Sequence, residues 1–414
     1  MDVPTCTIDD FGPIPLLAVG SAAELGDIVR QAATQGEAVY PLGGRTFLHL
    51  GRPPTRSGRA VDLRRLNQII DYPARDMTVT VQAGMSVAAL QQLLASERQR
   101  LPVDVPCAAQ ATLGGALAVN ASGPRRLGFG TFRDYVIGIT VVNDQGHEAK
   151  AGGRVVKNVA GYDLCKLHIG ALGTLGIITQ VTFKVRPLPE QQALVLVGCG
   201  TATLPTLLDQ LHASRSRPIA VDVLNAPAAR LVLGSEPSLP WLVVVGFEDH
   251  AEVVRWQVDR LGQELACCPE YHPEVIDGPA GTAVWKGLVD FVARPEPVMT
   301  FKANLLPHAV AAFCRETNDL LEQPLIQAHA GSGIVIGHVV GDLTLERAGP
   351  MLTMLRTAAT GAGGNLIVVR CPPSWKASLP VWGAPRGDGW LMRQVKKALD
   401  PHHVFNPGRF LDGI

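Results

Sequence analysis

Residues 170–179 read Gly-Ala-Leu-Gly-Thr-Leu-Gly-Ile-Ile-Thr, three glycines that lead directly into an apolar stretch. The segment from Ile177 to Val185 is predicted to be a β-strand, because β-branched residues dominate it and two prolines follow it. Glycine is costly in a folded chain unless the backbone needs a positive φ or a close approach. The cluster therefore predicts a turn at which the backbone comes close to another group.

A second glycine turn, Pro41 to Thr46, follows a short strand predicted over Ala38–Tyr40. Consecutive backbone N–H groups in such a turn can form a nest for a phosphate, and the Thr46 hydroxyl adds a donor. Taken alone, the turn also fits an ordinary connection between two elements. Its position at the end of a strand makes it a candidate phosphate site.

A third glycine turn lies between Ala111 and Ala116, where Thr112 is predicted to cap a helix. The amides of Leu113, Gly114 and Gly115 would then be free at the helix start, a favourable place for an anion. Neither this turn nor the second matches GxGxxG or GxxxxGK[ST], so neither a Rossmann fingerprint nor a P-loop is supported. Because all three turns stand at the ends of predicted elements, together they predict a large phosphate-bearing cofactor.

Length and charge limit the class of protein. The 414 residues allow two or three domains. Lys plus Arg and Asp plus Glu are each 37, and this balance argues against a nucleic-acid-binding surface. Hydrophobic residues at 47% and charged residues at 18% are typical of a globular chain with a well-filled core. We therefore expect a globular protein with no nucleic-acid partner.

The eight cysteines are scattered and form no CxxC pair. Iron–sulfur clusters and structural zinc need clustered thiolates, so we predict no metal site and interpret the cysteines as small buried side chains in a reducing compartment. The first ten residues lack the pattern of a signal peptide, and no apolar run reaches the ~18–20 residues that span a bilayer. We expect a cytoplasmic protein without a transmembrane segment, associated with a membrane only through partner subunits.

The pattern of elements changes near residue 190. Before it, a helix is predicted to begin at Ser21, with Glu24 completing a capping box, and to end at Gly36. After it, strands and helices alternate, and one helix, Thr344–Thr357, is expected to break at Pro350. The predicted fold class is α+β, with domains at 1–190 and 191–395 and a C-terminal tail at 396–414. The second domain is expected to place helices on a mostly antiparallel sheet.

A longer stretch just before the glycine cluster is more specific than any single turn. Residues 152–164 read GGRVVKNVAGYDL, and together with residues 170–179 they are similar to the FAD-binding subunit of glycolate oxidase. The first half resembles the FAD-binding domain of the vanillyl-alcohol oxidase/PCMH superfamily of FAD-linked oxidases, from Pro41 to about Pro187, plus Asn406-Pro407-Gly408. The resemblance implies a PCMH-type FAD-binding domain of two subdomains, an α+β cap domain, and a tail that returns to the FAD domain.

The resemblance also implies which residues bind FAD. It assigns the second glycine turn to the pyrophosphate, the third to the flavin ring and pyrophosphate, and the cluster at 173–178 to the adenosine end. Glycines between 123 and 130 would let the backbone approach the flavin. The implied cofactor-binding residues are Pro41, Gly43, Gly44, Arg45, Thr46, Thr112, Leu113, Gly114, Gly115, Gly123, Gly128, Gly130, Gly173, Thr174, Gly176, Ile177, Ile178 and Asn406.

Several members of the superfamily hold FAD covalently through a histidine or a cysteine. Here the second glycine turn carries Arg45 and Phe47 in place of such a histidine, and His49 is displaced from the glycines. Cys107 lies close to the position of a cysteine link in some relatives but is offset. We therefore predict noncovalent FAD.

Catalytic residues are less clearly indicated. Oxidation of a 2-hydroxy acid needs a base for the hydroxyl proton and a cation for the carboxylate. Hydroxy-acid dehydrogenases of this family carry a motif resembling His-Ala-Gly-Asp-Gly-Asn-x-His, whereas this chain has HAGSGIVIGH over residues 329–338. Ser332 and Ile334 replace the acidic and amide residues, which argues against a metal-assisted site. Candidate bases are His329, His338 and Tyr162, and structural roles for both histidines remain open.

The resemblance implies an FAD subunit of a glycolate (2-hydroxy acid) oxidase or dehydrogenase complex. Its partners would be a catalytic flavoprotein subunit and an iron–sulfur subunit, since this chain has no cysteine cluster. One alternative is a self-contained FAD-dependent oxidase or dehydrogenase of a small alcohol or hydroxy acid. A second alternative is a cofactor-free subunit that keeps the fold for assembly.

Overall fold

The computed structural model describes residues 4–153, 162–294, 296–384 and 387–414. Residues 154–161 of the family-like stretch therefore lie outside the described residues. The chain forms two compact units. The first comprises residues up to Ala121, Thr131–Leu188 and Lys376–Ile414, and the second comprises Ser122–Gly130 and Pro189–Trp375.

The described residues form helices and strands throughout both units. The helices are α1 (Ala22–Gln35), α2 (Val87–Ser96), α3 (Leu113–Val119), α4 (Arg126–Phe129), α5 (Phe132–Tyr135), α6 (Cys165–His168), α7 (Leu204–Ala213), α8 (Ala226–Leu233), α9 (Ala251–Leu265), α10 (Gly278–Asp290), α11 (Val310–Leu320), α12 (Leu345–Gly361) and α13 (Gly389–Leu399). The strands are β1 (Thr5–Ile8), β2 (Phe11–Ala18), β3 (Ala38–Leu42), β4 (Gly58–Asp62), β5 (Ile69–Asp71), β6 (Thr78–Gln82), β7 (Gln99–Arg100), β8 (Val136–Val142), β9 (Glu148–Gly152), β10 (Ile177–Lys184), β11 (Arg186–Pro187), β12 (Gln191–Cys199), β13 (Ala220–Asn225), β14 (Trp241–Asp249), β15 (Glu274–Asp277), β16 (Met299–Asn304), β17 (Leu325–His329), β18 (Ile334–Val339) and β19 (Asn365–Arg370).

Two larger sheets and a two-stranded sheet of β7 and β11 lie in the described part of the first unit. One of the larger sheets has the order β1-β2-β4-β3, in which β2 and β3 both run parallel to β4. The other is antiparallel, with the order β5-β6-β10-β8-β9. α1 buries Leu25, Val29 and Ala32 in a core that also contains Val39 of β3 and Ile177 of β10. This shared core fixes the end of β3, where the second glycine turn begins.

The cap residues of α1 are those predicted, Ser21 at the start and Gly36 at the end. The Ser21 hydroxyl accepts a hydrogen bond from the Glu24 N–H at 3.2 Å, and Gly36 takes a left-handed φ of 67°. The Glu24 carboxylate accepts from the Gly20 N–H at 2.7 Å rather than from the Ser21 N–H, so the predicted capping box is not formed and Ser21 alone caps the helix. Such a cap contributes about 1 kcal/mol to helix stability.

One antiparallel sheet of eight strands forms the second unit, in the order β15-β12-β14-β13-β17-β18-β16-β19. α8 and α10 pack on one face, where Leu224 and Val244 meet Trp285 and Leu288. The predicted α+β class and the antiparallel cap sheet are therefore confirmed.

The predicted break at Pro350 is wrong, because α12 continues through it to Gly361. Proline lacks an N–H and so removes its own bond to the carbonyl four residues earlier. Ala348, Leu352 and Leu355 are buried on one side of the helix, and their burial holds the helix together across the missing bond. In the described part of the chain, no helix combines the length and hydropathy needed to cross a membrane.

Candidate functional site

A groove of about 630 Å³, a volume that includes space open to solvent, lies in the first unit. Its walls come from the loop after β3, from the start and end of α3, and from two segments that are distant in sequence. The lining residues are Pro41, Leu42, Gly43, Gly44, Arg45, Thr46, Phe47, Leu48, Leu50, Thr112, Gly115, Ala118, Val119, Leu172, Asn406 and Arg409. The second glycine turn and Thr112 therefore meet at one site.

Two glycines allow this meeting. A Cβ on Gly43 would overlap the Thr112 hydroxyl oxygen, and a Cβ on Gly44 would overlap the carbonyl oxygen of Gln110. A side chain at either position would push the loop away from α3. These glycines are therefore required by the close approach of two backbone segments.

The backbone amides of this turn are open, which means that no described residue accepts a hydrogen bond from them. Among the hydrogen bonds between described residues, none has a donor N–H from the run Gly43 to Phe47. Arg45 takes a left-handed φ of 59°, which turns the backbone within the run. Buried or half-buried N–H groups normally find an acceptor. The open run therefore fits an anionic ligand such as a diphosphate.

The amides at the start of α3 are closed, which means that each already donates to an acceptor within the protein, contrary to the prediction. The Leu113 N–H donates to the Met85 carbonyl at 2.9 Å, and the Gly114 N–H donates to the Ala83 carbonyl at 2.7 Å. The Gly115 N–H donates to the Thr112 hydroxyl at 3.3 Å. The interpretation of these three amides as free anion donors is therefore wrong, although Thr112 and Gly115 do line the groove.

Arg45 brings positive charge to the groove. One of its guanidinium nitrogens lies 3.9 Å from Asp62 Oδ2, whereas Arg64 binds the same oxygen at 2.6 Å. Burial raises the pKa of Asp62, but the hydrogen bonds and charges of Arg64 and Arg45 outweigh this and leave that pKa below its usual value. Since Arg64 already pairs with Asp62, the charge of Arg45 is largely available to the groove.

The 172–178 segment borders the groove at one end and enters the core at the other. A Cβ on Gly173 would lie 3.1 Å from Pro41 Cγ and 3.3 Å from Asn406 Nδ2. Asn406 donates to the Leu172 carbonyl at 2.6 Å and so joins the tail to this segment. Thr174 is buried and its hydroxyl donates to the Ala171 carbonyl at 2.7 Å.

Other residues assigned to FAD by resemblance have different surroundings. Ile177 and Ile178 are buried in β10, and Gly176 precedes them at φ 151°. Gly123, Gly128 and Gly130 belong to the second unit, where the Gly128 N–H donates to the Ile219 carbonyl at 3.0 Å. A Cβ on Gly128 would lie 2.7 Å from that of Ile219, so packing accounts for this glycine. A cofactor role for these residues stays a prediction.

His338 is buried in the second unit with both ring nitrogens in hydrogen bonds. Nδ1 lies 2.8 Å from the Thr300 hydroxyl, and Nε2 lies 2.8 Å from the Phe291 carbonyl. The carbonyl can only accept, so Nε2 carries the proton and Nδ1 accepts from Thr300. Burial lowers the pKa of His338 to about 4. The ring is a neutral part of the core, which removes it from the candidate bases.

His329 differs because a carboxylate holds one of its nitrogens. Nδ1 lies 2.9 Å and 3.1 Å from the two carboxylate oxygens of Asp222. Gln327 donates to the same carboxylate at 2.7 Å and to the Leu288 carbonyl at 3.0 Å. Asp222 thereby fixes the proton on Nδ1, and Nε2 is left as the basic nitrogen. His329 is thus oriented as a hydrogen-bond acceptor or a base.

The two remaining candidates, Tyr162 as a base and Cys107 as a covalent link, do not line the groove. The Tyr162 side chain is 93% exposed and is not among the groove-lining residues. Cys107 takes a left-handed φ of 53° in a turn and is likewise outside the groove lining.

Sequence reasoning missed several groove residues, among them Ala118, Val119, Leu172 and Arg409. The aliphatic members add walls suited to flat ring systems, beside the open amides and the cation. No local motif marks them, because their position depends on how distant segments meet. Together the amides, Arg45 and the aliphatic walls fit the diphosphate and rings of FAD.

Family comparisons agree with this fit. The FAD binding domain family matches residues 13–152, and the C-terminal domain family of FAD linked oxidases matches residues 387–410. These matches and the relatives below show that the chain is an FAD-dependent oxidoreductase. The chain is similar to FAD-linked oxidases at both matched segments.

Curated relatives include hydroxy-acid enzymes. D-2-hydroxyglutarate dehydrogenase of Xanthomonas citri pv. viticola is 27% identical over 97% of this chain and 89% of its own length. Glycolate oxidase subunit GlcD of Bacillus subtilis is 26% identical over 96% of this chain and 88% of its own length. Glycolate oxidase subunit GlcE of Escherichia coli is 36% identical over 39% of this chain and 46% of its own length.

Solved structures share the fold. Alkyldihydroxyacetonephosphate synthase aligns with a TM-score of 0.73 at 17% identity, over 98% of this chain and 81% of its own. A structure of p-cresol methylhydroxylase with substrate bound aligns with a TM-score of 0.73 at 14% identity, over 95% of this chain and 88% of its own.

Proposed function

We propose that this chain is the FAD-binding subunit of a 2-hydroxy acid oxidase or dehydrogenase complex, with glycolate as the model substrate of the complex. The observation that carries the proposal is the groove whose open amides, Gly43 to Phe47, face no protein acceptor among the described residues. Relatives named as glycolate oxidase subunits support the substrate class. In this role the chain works in the cytoplasm and reaches a membrane only through its partners.

The groove residues have distinct tasks in this proposal. The amides of Gly43 to Phe47 bind the diphosphate, and Arg45 balances its charge. Aliphatic walls at Leu48, Val119 and Leu172 exclude water from the rings. FAD, when bound, supplies a two-electron acceptor that can also pass electrons on. Because neither Cys107 nor His49 lines the groove, we propose that FAD is held noncovalently.

The partners follow from what the chain does not supply. Its cysteines form no CxxC pair, and the described residues contain no cluster of three or more metal-ligating side chains. We propose that an iron–sulfur subunit carries electrons onward. The altered motif at 329–338 supports a separate flavoprotein subunit as the site of substrate oxidation.

A self-contained oxidase or dehydrogenase of a small alcohol or hydroxy acid is the second candidate. The Asp222–His329 pair favours it, because a carboxylate that fixes Nδ1 leaves Nε2 ready to take a proton. In this case the chain alone would oxidise substrate, and His329→Gln would abolish turnover while leaving FAD bound. His338→Gln, which alters a core histidine, is the matched control.

Three measurements on the purified chain separate the possibilities. We expect a flavin absorbance band, which would dismiss the cofactor-free subunit, and release of the flavin into the supernatant after precipitation with trichloroacetic acid. Flavin retained in the pellet would contradict noncovalent binding. With glycolate and a dye as electron acceptor, we expect turnover only when partner subunits are added. Substantial turnover by the single chain would favour the self-contained enzyme.

A further inference from the structure

Three charged residues from distant segments of the first unit meet at residues 43–52, the loop after β3 that we call the groove loop. Asp9 Oδ2 accepts from Lys376 Nζ at 2.8 Å and from Arg409 Nη1 at 2.8 Å. The side chains of Asp9, Lys376 and Arg409 are 4%, 2% and 7% exposed. One buried carboxylate is therefore shared by two buried cations.

Backbone carbonyls of the loop accept hydrogen bonds from both cations. Arg409 Nη2 donates to the carbonyls of Leu48 at 2.6 Å and Leu50 at 2.9 Å, and Nη1 donates to that of Arg52 at 2.8 Å. Lys376 Nζ donates to the carbonyl of His49. Four carbonyls within residues 48–52 thus point at one cluster of charge. We call Asp9, Lys376 and Arg409 the charge cluster.

The same loop continues into the open amides. The Leu48 N–H donates to the Arg45 carbonyl at 3.4 Å, and the Leu50 N–H donates to the Phe47 carbonyl at 3.0 Å. Leu48, Leu50 and Arg409 themselves line the groove. Any movement of residues 48–52 would therefore be transmitted to the amides that bind the diphosphate.

We propose that Asp9, Lys376 and Arg409 are positioning residues that set the conformation of the groove loop before the cofactor binds. The inference rests on the proposed FAD-binding role of the groove. Its physical basis is that buried cations need hydrogen-bond acceptors and negative charge nearby. Here the loop carbonyls add acceptors to the single Asp9 carboxylate that the two cations share. Loss of the Asp9 charge would leave two adjacent cations that repel each other and displace the carbonyls they hold.

The test compares variants of the charge cluster with a buried polar pair of the same unit. Asp9→Asn removes the shared charge, and Arg409→Lys keeps the charge but cannot reach three carbonyls. Thr80→Val is the control, since Thr80 and Thr182 are buried and their hydroxyl oxygens lie 3.0 Å apart. FAD affinity is measured by fluorescence titration well below each melting temperature, and exchange of the loop amides is measured in the apoprotein.

We expect Asp9→Asn and Arg409→Lys to weaken FAD binding at least tenfold and to speed exchange at residues 48–52 in the apoprotein. Lys376→Met added to Asp9→Asn removes the repulsion and should restore part of the affinity. Thr80→Val should lower the melting temperature with wild-type affinity. If both cluster variants keep wild-type affinity and loop exchange, the positioning role is wrong. If the wild-type chain binds no FAD, the proposed function fails, while apoprotein loop exchange still decides the positioning role.

Discussion

The second and third glycine turns look alike in sequence, but the structure separates them. At Gly43–Phe47 the amides have no acceptor among the described residues, whereas at the start of α3 the amides of Leu113 and Gly114 donate to the carbonyls of Met85 and Ala83. Glycine thus serves two purposes. In the second turn it lets the loop lie against Gln110 and Thr112, and in the third it lets α3 pack on Ala83 at the end of β6. The availability of donors depends on the surrounding fold.

The largest expected effect comes from Gly44→Ala in the open turn. The new Cβ would overlap the Gln110 carbonyl, so the loop must move away from α3. We expect FAD affinity to fall by more than about 100-fold, or roughly 3 kcal/mol. Isothermal titration with FAD measures this change.

The closed turn provides the matched control. A Cβ on Gly114 would lie 3.1 Å from that of Ala83, which a small shift can relieve. Gly114→Ala should therefore cost about 1 kcal/mol of stability and change FAD affinity by less than about threefold. Equal losses of affinity in the two variants would contradict the distinction between the turns.

His338 in the second unit has hydrogen-bond partners for both ring nitrogens, and its buried state can be tested through the pH dependence of stability. Burial gives His338 a pKa of about 4 in the folded chain, below its ordinary value of 6.5. The unfolded chain takes up the proton first, so stability is full above pH 6.5 and falls as pH drops toward 4. His338 contributes about 3 kcal/mol to this loss in the free energy of unfolding. Melting temperatures across this range should fall less steeply for His338→Gln than for the wild type, and parallel slopes would refute the assignment.

A smaller effect is expected from the open turn's cation. Arg45→Met removes a positive charge that Asp62 holds only at 3.9 Å. We expect FAD affinity to fall about tenfold, with less salt dependence than in the wild type, and little change in the melting temperature. Arg64→Met is the control, because Arg64 binds Asp62 at 2.6 Å and does not line the groove. An equal loss of affinity in both variants would show that Asp62, not the groove, is what matters.

The smallest effect is expected at Thr112, which borders both turns. Its hydroxyl accepts from the Gly115 N–H and lines the groove. Thr112→Val should lower stability by about 1 kcal/mol through the lost cap and weaken FAD binding a few-fold. Thr112→Ser keeps the hydroxyl and should restore both properties in thermal melts and titrations.

The features that could be predicted are those marked by residues close together in the sequence. Ser21 and Gly36 mark the ends of α1, and the turn at Pro41–Thr46 is recognisable because its glycines and the preceding strand are contiguous. The partners of Leu113 and Gly114 lie about thirty residues away, so no pattern could reveal that these amides are closed. Arg409 enters the groove only when the tail returns to the first unit. Burial along α12 likewise outweighs the local preference of Pro350.

Amide hydrogen exchange at single-residue resolution, with and without FAD, tests the central claim most directly. Residues Gly43 to Phe47 should exchange rapidly in the apoprotein and become strongly protected when FAD is added. Leu113 and Gly114 should be protected in both states. Protection gained at Leu113 and Gly114, with none at Gly43 to Phe47, would contradict the account.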